Sequence, residues 1–264
     1  MKLGDLEVIP VNDGEGKLPS TYLPKVDWER HQDVLDEEGN FDVNLACFLV
    51  KSGDRNVLID AGLGPVTFPP FRAGDLPKNL AANGVSPEDV DLILITHLHL
   101  DHIGWLVQDG KPFFPNATIR FGEKDLDQFI RAEKPDDFAK PAVEALDAAG
   151  RIQTIDGDGE VAPGISVLNT PGHTLGHVSV VASSGTQRAF MLGDAVTCPV
   201  QLEDAEWTAM SDIDPDLAVR SRARLYQELE GAETIAAASH FPELKFGRVL
   251  FGEGKRYFQL GRGA

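Results

Sequence analysis

The chain has 264 residues, of which 42% are hydrophobic and 25% are charged, so it can bury a core and does not have the composition of a disordered protein. Its 24 basic and 42 acidic residues leave a net charge of −18, which argues against binding to nucleic acid or to anionic membranes. The two cysteines, Cys47 and Cys198, are too few for a disulfide framework. We therefore expect a globular protein with a small-molecule substrate.

No targeting or membrane segment is evident in the sequence. The N-terminal residues lack the apolar stretch of a signal peptide, and no apolar run reaches the roughly 18 residues that a membrane-spanning helix needs. No low-complexity linker divides the chain. These features predict a cytoplasmic protein that folds as a single domain over residues 1–264.

Eight short runs of apolar residues predict strands. Several are apolar at consecutive positions, which is typical of strands covered on both faces. In chain order the predicted strands are 44–50, 56–61, 91–96, 117–121, 165–170, 177–183, 188–194 and 234–240. Two polar or proline-rich segments, 14–42 and 62–75, predict irregular loops, and the first is expected to form an N-terminal extension near the active site.

Helical signals lie between the predicted strands. The Ser86–Pro87 pair is typical of a helix start, and segments 122–133 and 135–149 combine helical spacing with acidic starts. The strongest signal begins at Asp214–Pro215 and has a face that repeats every four residues. Strands mixed with helices along the whole chain predict a layered α/β fold.

Four of the predicted strands lead to a residue that can bind a metal. Since rigid strands in layered α/β folds aim the residues at their carboxyl ends into one crevice, these residues are expected to converge. They are His97, His173, Asp194 and His240.

The segment THLHLDHIG (96–104) holds three histidines and an aspartate within six residues. His97 and His99 can present their imidazoles on the same side of extended backbone, and Asp101 and His102 then reach a neighbouring position. Imidazole nitrogen and carboxylate oxygen suit zinc and similar divalent ions. Because five of the seven histidines of the chain lie in this segment and in TPGHTLGH (170–177), a chance cluster of core histidines is a poor explanation.

The HxHxDH pattern of this segment resembles the signature of the metallo-β-lactamase-fold hydrolase superfamily. The other motifs of that family occur in order, with Asp60 in LIDAG, His173 in TPGHTLGH, Asp194 in LGD and His240 in SHFP. The resemblance runs from about Asn44 to the C-terminus. It implies an αββα sandwich, in which two mixed β-sheets pack face to face with helices on both outer faces.

Carried over residue by residue, the resemblance implies two divalent metal ions, with zinc expected first and Mn, Fe or Co as alternatives. The implied ligands of the first ion are His97, His99 and His173. Those of the second ion are Asp101, His102 and His240, and Asp194 would bridge both ions. Asp60 would accept a hydrogen bond from a metal-binding imidazole.

The chemistry implied by such a centre is hydrolysis. Zinc lowers the pKa of bound water from 15.7 to about 7, so a metal-bound hydroxide would attack a lactone or carboxylic ester while a metal polarises the carbonyl oxygen. Asp101, which is close to the nucleophile, is the candidate catalytic residue for moving the proton. The alternatives are a phosphotriester or thioester hydrolase on the same site, or a mononuclear iron dioxygenase.

The segment after His240 and the long N-terminal extension are similar to the lactonase and methyl-parathion-hydrolase branch of the family. That branch favours a lactone substrate, and the family resemblance favours a homodimer. Three aromatic residues are the candidates for an apolar substrate pocket, namely Phe68, Phe71 and Trp105.

Overall fold

A computed structural model of the protein describes residues 1–231, 233–252 and 254–261. Its strands in chain order are β1 (Lys2–Leu3), β2 (Leu6–Pro19), β3 (Asn40–Ser52), β4 (Arg55–Ile59), β5 (Thr67–Phe68), β6 (Phe71–Ala73), β7 (Leu92–Leu94), β8 (Val107–Gln108), β9 (Lys111–Pro112), β10 (Thr118–Gly122), β11 (Ile152–Ile155), β12 (Gly159–Ala162), β13 (Ile165–Asn169), β14 (Val178–Ser184), β15 (Gln187–Met191), β16 (Thr234–Ala237), β17 (Gly247–Gly252) and β18 (Lys255–Leu260). Its α-helices are α1 (Leu76–Ala82), α2 (Leu100–Ile103), α3 (Glu123–Asp125), α4 (Ala139–Ala148) and α5 (Pro215–Leu229). Short 3₁₀ turns lie at Ser20–Tyr22, Trp28–Arg30, Gln32–Val34, Pro87–Asp89, Gly193–Ala195, Pro199–Leu202 and Pro242–Leu244, and a π turn lies at Leu126–Ile130.

Most of these strands belong to two mixed sheets. The first sheet has the order β11-β10-β7-β4-β3-β2-β6-β5, with β1 paired to β2, and the second has the order β12-β13-β14-β15-β16-β17-β18. Strands β8 and β9 form a separate hairpin. Strand β7 pairs in parallel with β4 and β10, and β15 pairs in parallel with β16. The β15–β16 crossover contains α5, as parallel neighbours require a long connection.

Three hydrophobic clusters define the layers of the fold. The inner faces of the two sheets meet in one cluster, which includes Val8, Val50, Ile59, Val167, Val180 and Met191. On the outer face of the first sheet, Leu80 of α1 and Leu146 of α4 pack against that sheet. On the outer face of the second sheet, Leu225 and Leu229 of α5 do the same. The order of layers is helix, sheet, sheet, helix, so the predicted αββα sandwich is confirmed.

All eight predicted strands are present, but the prediction of a loop over 14–42 is wrong at both ends. Strand β2 continues to Pro19 and β3 already begins at Asn40. The two strands pair antiparallel, and apolar Leu18 lies opposite Phe41. This cross-strand pairing outweighs the local glycine- and proline-rich composition, because strand preference depends on the neighbouring strand more than on the backbone itself.

The predicted helices are present with different lengths. Helix α5 begins where expected, and the Asp214 carboxylate caps it by accepting the Leu217 amide at 2.9 Å. The segment 135–149 contains α4, whereas 122–133 contains only the short α3 followed by the π turn. The Ser86 signal starts a single 3₁₀ turn with a capping box. Among the described residues, no helix has both the length and the apolar character needed to cross a membrane.

Candidate metal centre

All seven predicted metal ligands come together in the folded chain. Their candidate ligand atoms form three groups, and within each group the atoms lie within 4.8 Å of one another. The groups are His97–His99–His173, His97–His102–Asp194 and Asp101–His102–His240. Because His97 and His102 each belong to two groups, the three groups are contiguous and form one centre.

Glycines directly before two of these residues let the loops approach closely. Gly172 has a φ of +138°, and a Cβ at this position would lie 2.2 Å from the Ala218 amide nitrogen of α5. Gly193 has a φ of +56°, and a Cβ there would lie 2.7 Å from His177 Nε2. The same His177 nitrogen accepts the Asp194 amide at 3.0 Å. Glycine is therefore required at both positions to place the following His173 and Asp194.

The first group consists of three imidazoles that face a common point. His97 Nε2 lies 2.8 Å from His99 Nδ1, and His173 Nε2 lies 3.0 Å from the same His99 nitrogen. The Phe129 ring stands edge-on to His99, with their centroids 5.4 Å apart. Three converging imidazole nitrogens are a common ligand set for zinc.

Asp101, His102 and His240 together form a second candidate metal group, and Asp194 adjoins both this group and the first. His240 Nε2 lies 3.1 Å from Asp194 Oδ2 and 3.3 Å from Asp101 Oδ2. The other oxygen of Asp194, Oδ1, lies 3.3 Å from His102 Nε2, while Oδ2 is also 3.5 Å from His173 Nε2. The Asp194 carboxylate thus lies between the two groups and faces imidazoles of both.

Electrostatics divides the centre into a neutral part and a charged part. Burial lowers the pKa of His97 well below its usual value and that of His99 to about 4, so both rings are neutral and offer lone pairs. Burial also opposes a charge on His240, but the Asp194 and Asp101 carboxylates outweigh it and raise the pKa of His240 to about 10. The carboxylates therefore favour positive charge in the second group.

Hydrogen bonds on the far side of each ring fix its orientation. His102 Nδ1 donates to Asp60 Oδ2 at 2.8 Å, and His240 Nδ1 donates to the Asn44 carbonyl at 2.8 Å. Asp60 adopts a φ of 59°, and the Thr96 amide and hydroxyl hold its carboxylate with bonds of 2.7 to 3.0 Å. In the neutral form that a metal requires, with hydrogen on Nδ1 alone, the lone pairs of His102 and His240 would be on Nε2, the nitrogen that faces the centre.

The hydrogen bonding of two buried atoms in the centre shows whether a metal ion would fit these residues. Within the part of the chain that the structure describes, His102 Nε2 and Asp194 Oδ1 are buried and make no hydrogen bond. Buried polar atoms without a partner are rare in proteins, because each one loses its bonds to water. A divalent cation between them would satisfy both atoms, so the residues fit the implied metal.

Asp125 joins the two loops that carry the first group, although the sequence analysis did not single it out. Its fully buried carboxylate accepts from the Leu98 amide at 3.1 Å and from the Gly176 amide at 2.6 Å. The Thr174 hydroxyl donates to it at 3.2 Å. Burial, against these hydrogen bonds, raises the pKa of Asp125 to about 6. A lone aspartate after a strand has no local signal that distinguishes it from a helix cap.

The structure places Trp105, one of the three predicted pocket residues, in a hydrophobic core cluster. Its ring is only 8% exposed, packs against Phe113 in the core, and donates its indole N–H to Asp13 Oδ1 at 2.7 Å. Asp13 is fully buried and also accepts from the Leu63 amide at 2.8 Å, so Trp105 helps to hold a loop. Phe71 packs at the edge of another hydrophobic cluster, and the side chain of Phe68 lies outside the described part of the chain.

Tyr22 of the N-terminal extension is linked to the centre through Ser211. The Tyr22 hydroxyl is hydrogen-bonded to Ser211 Oγ, which lies 3.4 Å from His173 Nδ1. Burial and the nearby Asp194 charge raise the pKa of Tyr22, so its phenol stays protonated. A cleft of about 700 Å³ is lined by, among others, Glu15, Lys17, Asp42, Asn44, Pro70 and Pro242.

A helix–sheet–sheet–helix sandwich that carries two adjoining histidine and aspartate groups at its strand ends defines a metal-dependent hydrolase. The family model of the Metallo-beta-lactamase superfamily matches residues 42–240, so the chain belongs to that superfamily. The matched range includes every ligand candidate from His97 to His240. It begins at Asp42, the last residue of the predicted N-terminal extension.

The chain is also similar to individual proteins in sequence and in structure. The chain is 26% identical over 231 residues to an N-acyl homoserine lactonase from a Bacillus species, covering 80% of this chain and 87% of the relative. It is 25% identical over 242 residues to the N-acyl homoserine lactonase AiiB of Agrobacterium fabrum, with 82% of each chain covered. Among solved structures it resembles AidC, a dizinc quorum-quenching lactonase, with a TM-score of 0.88, 24% identity and 100% and 97% of the two chains covered. It also resembles the hydrolase AbOPH, with a TM-score of 0.87, 28% identity and 98% and 95% covered.

Proposed function

We propose that this protein is a lactonase with a dinuclear zinc centre. The observation that carries the proposal is the position of Asp194, whose Oδ1 faces His102 at 3.3 Å while Oδ2 faces His240 at 3.1 Å and His173 at 3.5 Å. A carboxylate within reach of both sets of imidazoles could serve two neighbouring cations.

The ligands divide as the family resemblance implies. His97, His99 and His173 would hold the first ion, Asp101, His102 and His240 the second, and Asp194 both. Mixed imidazole and carboxylate donors favour zinc among the common divalent ions. When bound, the two ions would supply a hydroxide nucleophile at neutral pH and a Lewis acid for the carbonyl oxygen of the substrate.

Asp101 is the residue that would move the proton. Its side chain is 30% exposed, whereas that of Asp194 is 5% exposed, so substrate can reach Asp101 more readily. Burial opposes ionisation of Asp101, but the imidazoles of His102 and His240 outweigh burial and lower the pKa of Asp101, so its carboxylate is ionised. Opening a lactone ring releases an alkoxide oxygen, and Asp101 would return the proton to that oxygen.

The substrate class comes from the relatives. Proteins that are 25–27% identical to this chain, over about four fifths of its length, are N-acyl homoserine lactonases. We extend lactone hydrolysis to this chain, with carboxylic esters as the second class. A lactone is neutral and its product is an anion, so the net charge of −18 repels only the product.

The test is a hydrolysis screen on protein whose metal content has been measured. Lactones, aryl esters, thioesters and phosphotriesters are compared by kcat/KM. We expect two zinc equivalents per chain and the highest kcat/KM on a lactone. One iron per chain with oxygen consumption would make the protein a dioxygenase, and a preference for phosphotriesters would replace lactones by that class.

A single substitution tests the dinuclear arrangement. His102→Ala should remove one zinc equivalent and most of the turnover, because His102 lies in two of the three ligand groups. His31→Ala is the matched control, since His31 lies away from the centre beside Glu203, 3.7 Å from its carboxylate. Full activity in His102→Ala would contradict the dinuclear mechanism.

Two further predictions belong to the same proposal. The family resemblance favours a homodimer, which sedimentation at micromolar concentration would detect as twice the mass of the chain. The cytoplasmic location predicted from the sequence is tested by cell fractionation.

A further inference from the structure

Arg222 is an arginine on the buried face of an amphipathic helix. It lies on α5 four residues after Ala218 and three before Leu225, and all three side chains are buried. The Arg222 side chain is only 1% exposed. A buried guanidinium is costly unless its charge and its donors are matched, so its partners indicate what it is for.

The partners of Arg222 come from three separate segments. Its Nε donates to the Ala205 carbonyl at 3.0 Å, and one terminal nitrogen donates to the Ala195 carbonyl at 3.2 Å. Both terminal nitrogens face Asp212 Oδ2, at 3.4 and 3.5 Å. Ala195 directly follows Asp194, so the guanidinium also touches the loop that carries the carboxylate between the two metal groups.

Asp212 connects this arginine to the centre. Its carboxylate is fully buried, and Oδ2 accepts the Ala209 amide at 3.0 Å in addition to facing Arg222. The other oxygen, Oδ1, lies 3.3 Å from His173 Nδ1. With its hydrogen on Nδ1 toward Asp212, His173 has the lone pair on Nε2, which faces His99 Nδ1 at 3.0 Å.

We infer that Asp212 and Arg222 are positioning residues of the metal centre, which hold His173 in the tautomer and orientation that bind the first ion. This inference rests on the dinuclear site of the proposed function. Asp212 faces His173 Nδ1 as Asp60 faces His102 Nδ1, and the Arg222 guanidinium holds the Asp212 carboxylate in place. Carboxylates behind metal-binding histidines raise ligand basicity, and their loss typically weakens metal binding by about 10- to 100-fold.

The test measures zinc binding in the absence of substrate. All variants are made in His102→Ala, which leaves the first group intact and reduces the titration to one site. Metal-depleted protein is titrated with zinc against a chromophoric chelator. We expect Asp212→Asn to bind zinc about 10- to 100-fold more weakly. Arg220→Met is the control, because Arg220 is exposed on the same helix.

A double variant keeps the inference testable if Asp212→Asn alone does not fold. Asp212→Asn with Arg222→Met removes both buried charges together, and such paired replacements are commonly tolerated. The folded double variant should show the same loss of zinc affinity, and an altered absorption spectrum when cobalt replaces zinc. Wild-type affinity and spectrum in a folded variant would overturn the inference. Two bound zinc ions in the wild-type protein without lactone hydrolysis would sink the proposed function alone and leave the positioning role intact.

Discussion

The Asp60 carboxylate accepts the Nδ1 hydrogen of His102 at 2.8 Å, and both side chains are 1% exposed. The pair is linked to the first metal group through Thr96, whose hydroxyl donates to Asp60 and lies 3.1 Å from His97 Nδ1. One aspartate after β4 therefore influences histidines of both groups, although it lies outside the ligand set itself.

Replacing Asp60 should weaken metal binding without removing a ligand. In Asp60→Asn the amide is a weaker acceptor for His102, so we expect zinc affinity of the second group to fall by about 10- to 100-fold. Competition titration with a chromophoric chelator measures this change. Asp54→Asn, on the exposed turn before β4, should bind zinc as the wild type does. Equal affinities in both variants would contradict the role of Asp60.

Removing the metals should lower the thermal midpoint and leave the fold intact. The three hydrophobic clusters that hold the sandwich together do not include the ligands, so the chelated protein should keep its circular dichroism spectrum. A ligand present at 100 times its Kd stabilises the native state by about 2.7 kcal/mol, and this contribution disappears on chelation. Zinc should restore the midpoint and magnesium should not, because magnesium prefers oxygen ligands. An unchanged midpoint after chelation would argue against an ion at this site.

Trp105→Phe should reduce stability and leave substrate binding unchanged. The substitution keeps the packing against Phe113 but removes the indole hydrogen bond to the Asp13 carboxyl group. Hydrogen bonds to charged groups contribute about 2 kcal/mol, so the free energy of unfolding should fall by about that amount. Urea unfolding gives the stability, and KM for the best substrate of the screen gives the control. A raised KM with unchanged stability would instead support a role for Trp105 in the substrate pocket.

Asp125→Ala should destabilise the loops that carry His97, His99 and His173. The change leaves the Leu98 amide, the Gly176 amide and the Thr174 hydroxyl without their acceptor. Each buried donor left unpaired costs about 1–3 kcal/mol, so a loss of about 3 kcal/mol or more is expected in urea unfolding. Asp127→Ala, at a salt-bridged surface position two residues away, should change stability by less than about 1 kcal/mol.

Asp125 should also make stability depend on pH. Its folded pKa of about 6 lies above the ordinary value of 3.8, so folding favours the protonated form. The resulting contribution of Asp125 to the free energy of unfolding is fully present below pH 3.8 and is lost as the pH rises through about 6. The stability difference between wild type and Asp125→Asn, measured in metal-free protein, should therefore shrink over this range. A difference that grows with pH would mean that the hydrogen bonds outweigh burial.

The metal ligands could be predicted because the signals that identify them are local. His97 to His102 lie within six residues after an apolar strand, and donor type and spacing along one short segment do not depend on the rest of the fold. Apart from Asp60, which the family resemblance implied, most of the residues that support the ligands have no comparable signal. Asp13 meets Trp105 across 92 positions and Asp125 meets Gly176 across 51, and in the sequence each reads as an ordinary polar residue.

Arg222 is a supporting residue that does have a signal in the sequence. Its place among Ala218, Leu225 and Leu229 puts a charge on the apolar face of α5, which predicts a buried partner. Trp105 is the reverse case, because its position in the sequence does not determine its location in the fold. An aromatic residue next to the HxHxDH motif is equally compatible with a pocket wall and with the core. Its burial depends on Asp13, a partner that no local pattern reveals.

The sequence by itself determined the layered α/β class, the strands that deliver the site and the cluster of metal-capable residues at their ends, because apolar periodicity and donor spacing act over a few residues. The αββα arrangement, the full set of seven ligands, the bridging place of Asp194 and the role of Asp60 were implied by the family resemblance. Only the tertiary structure decided which nitrogen of each histidine faces the centre, that Asp60 orients His102, and that Asp212 orients His173. Ring orientation is set by hydrogen-bond partners from distant segments, and those partners exist only after the sheets have packed.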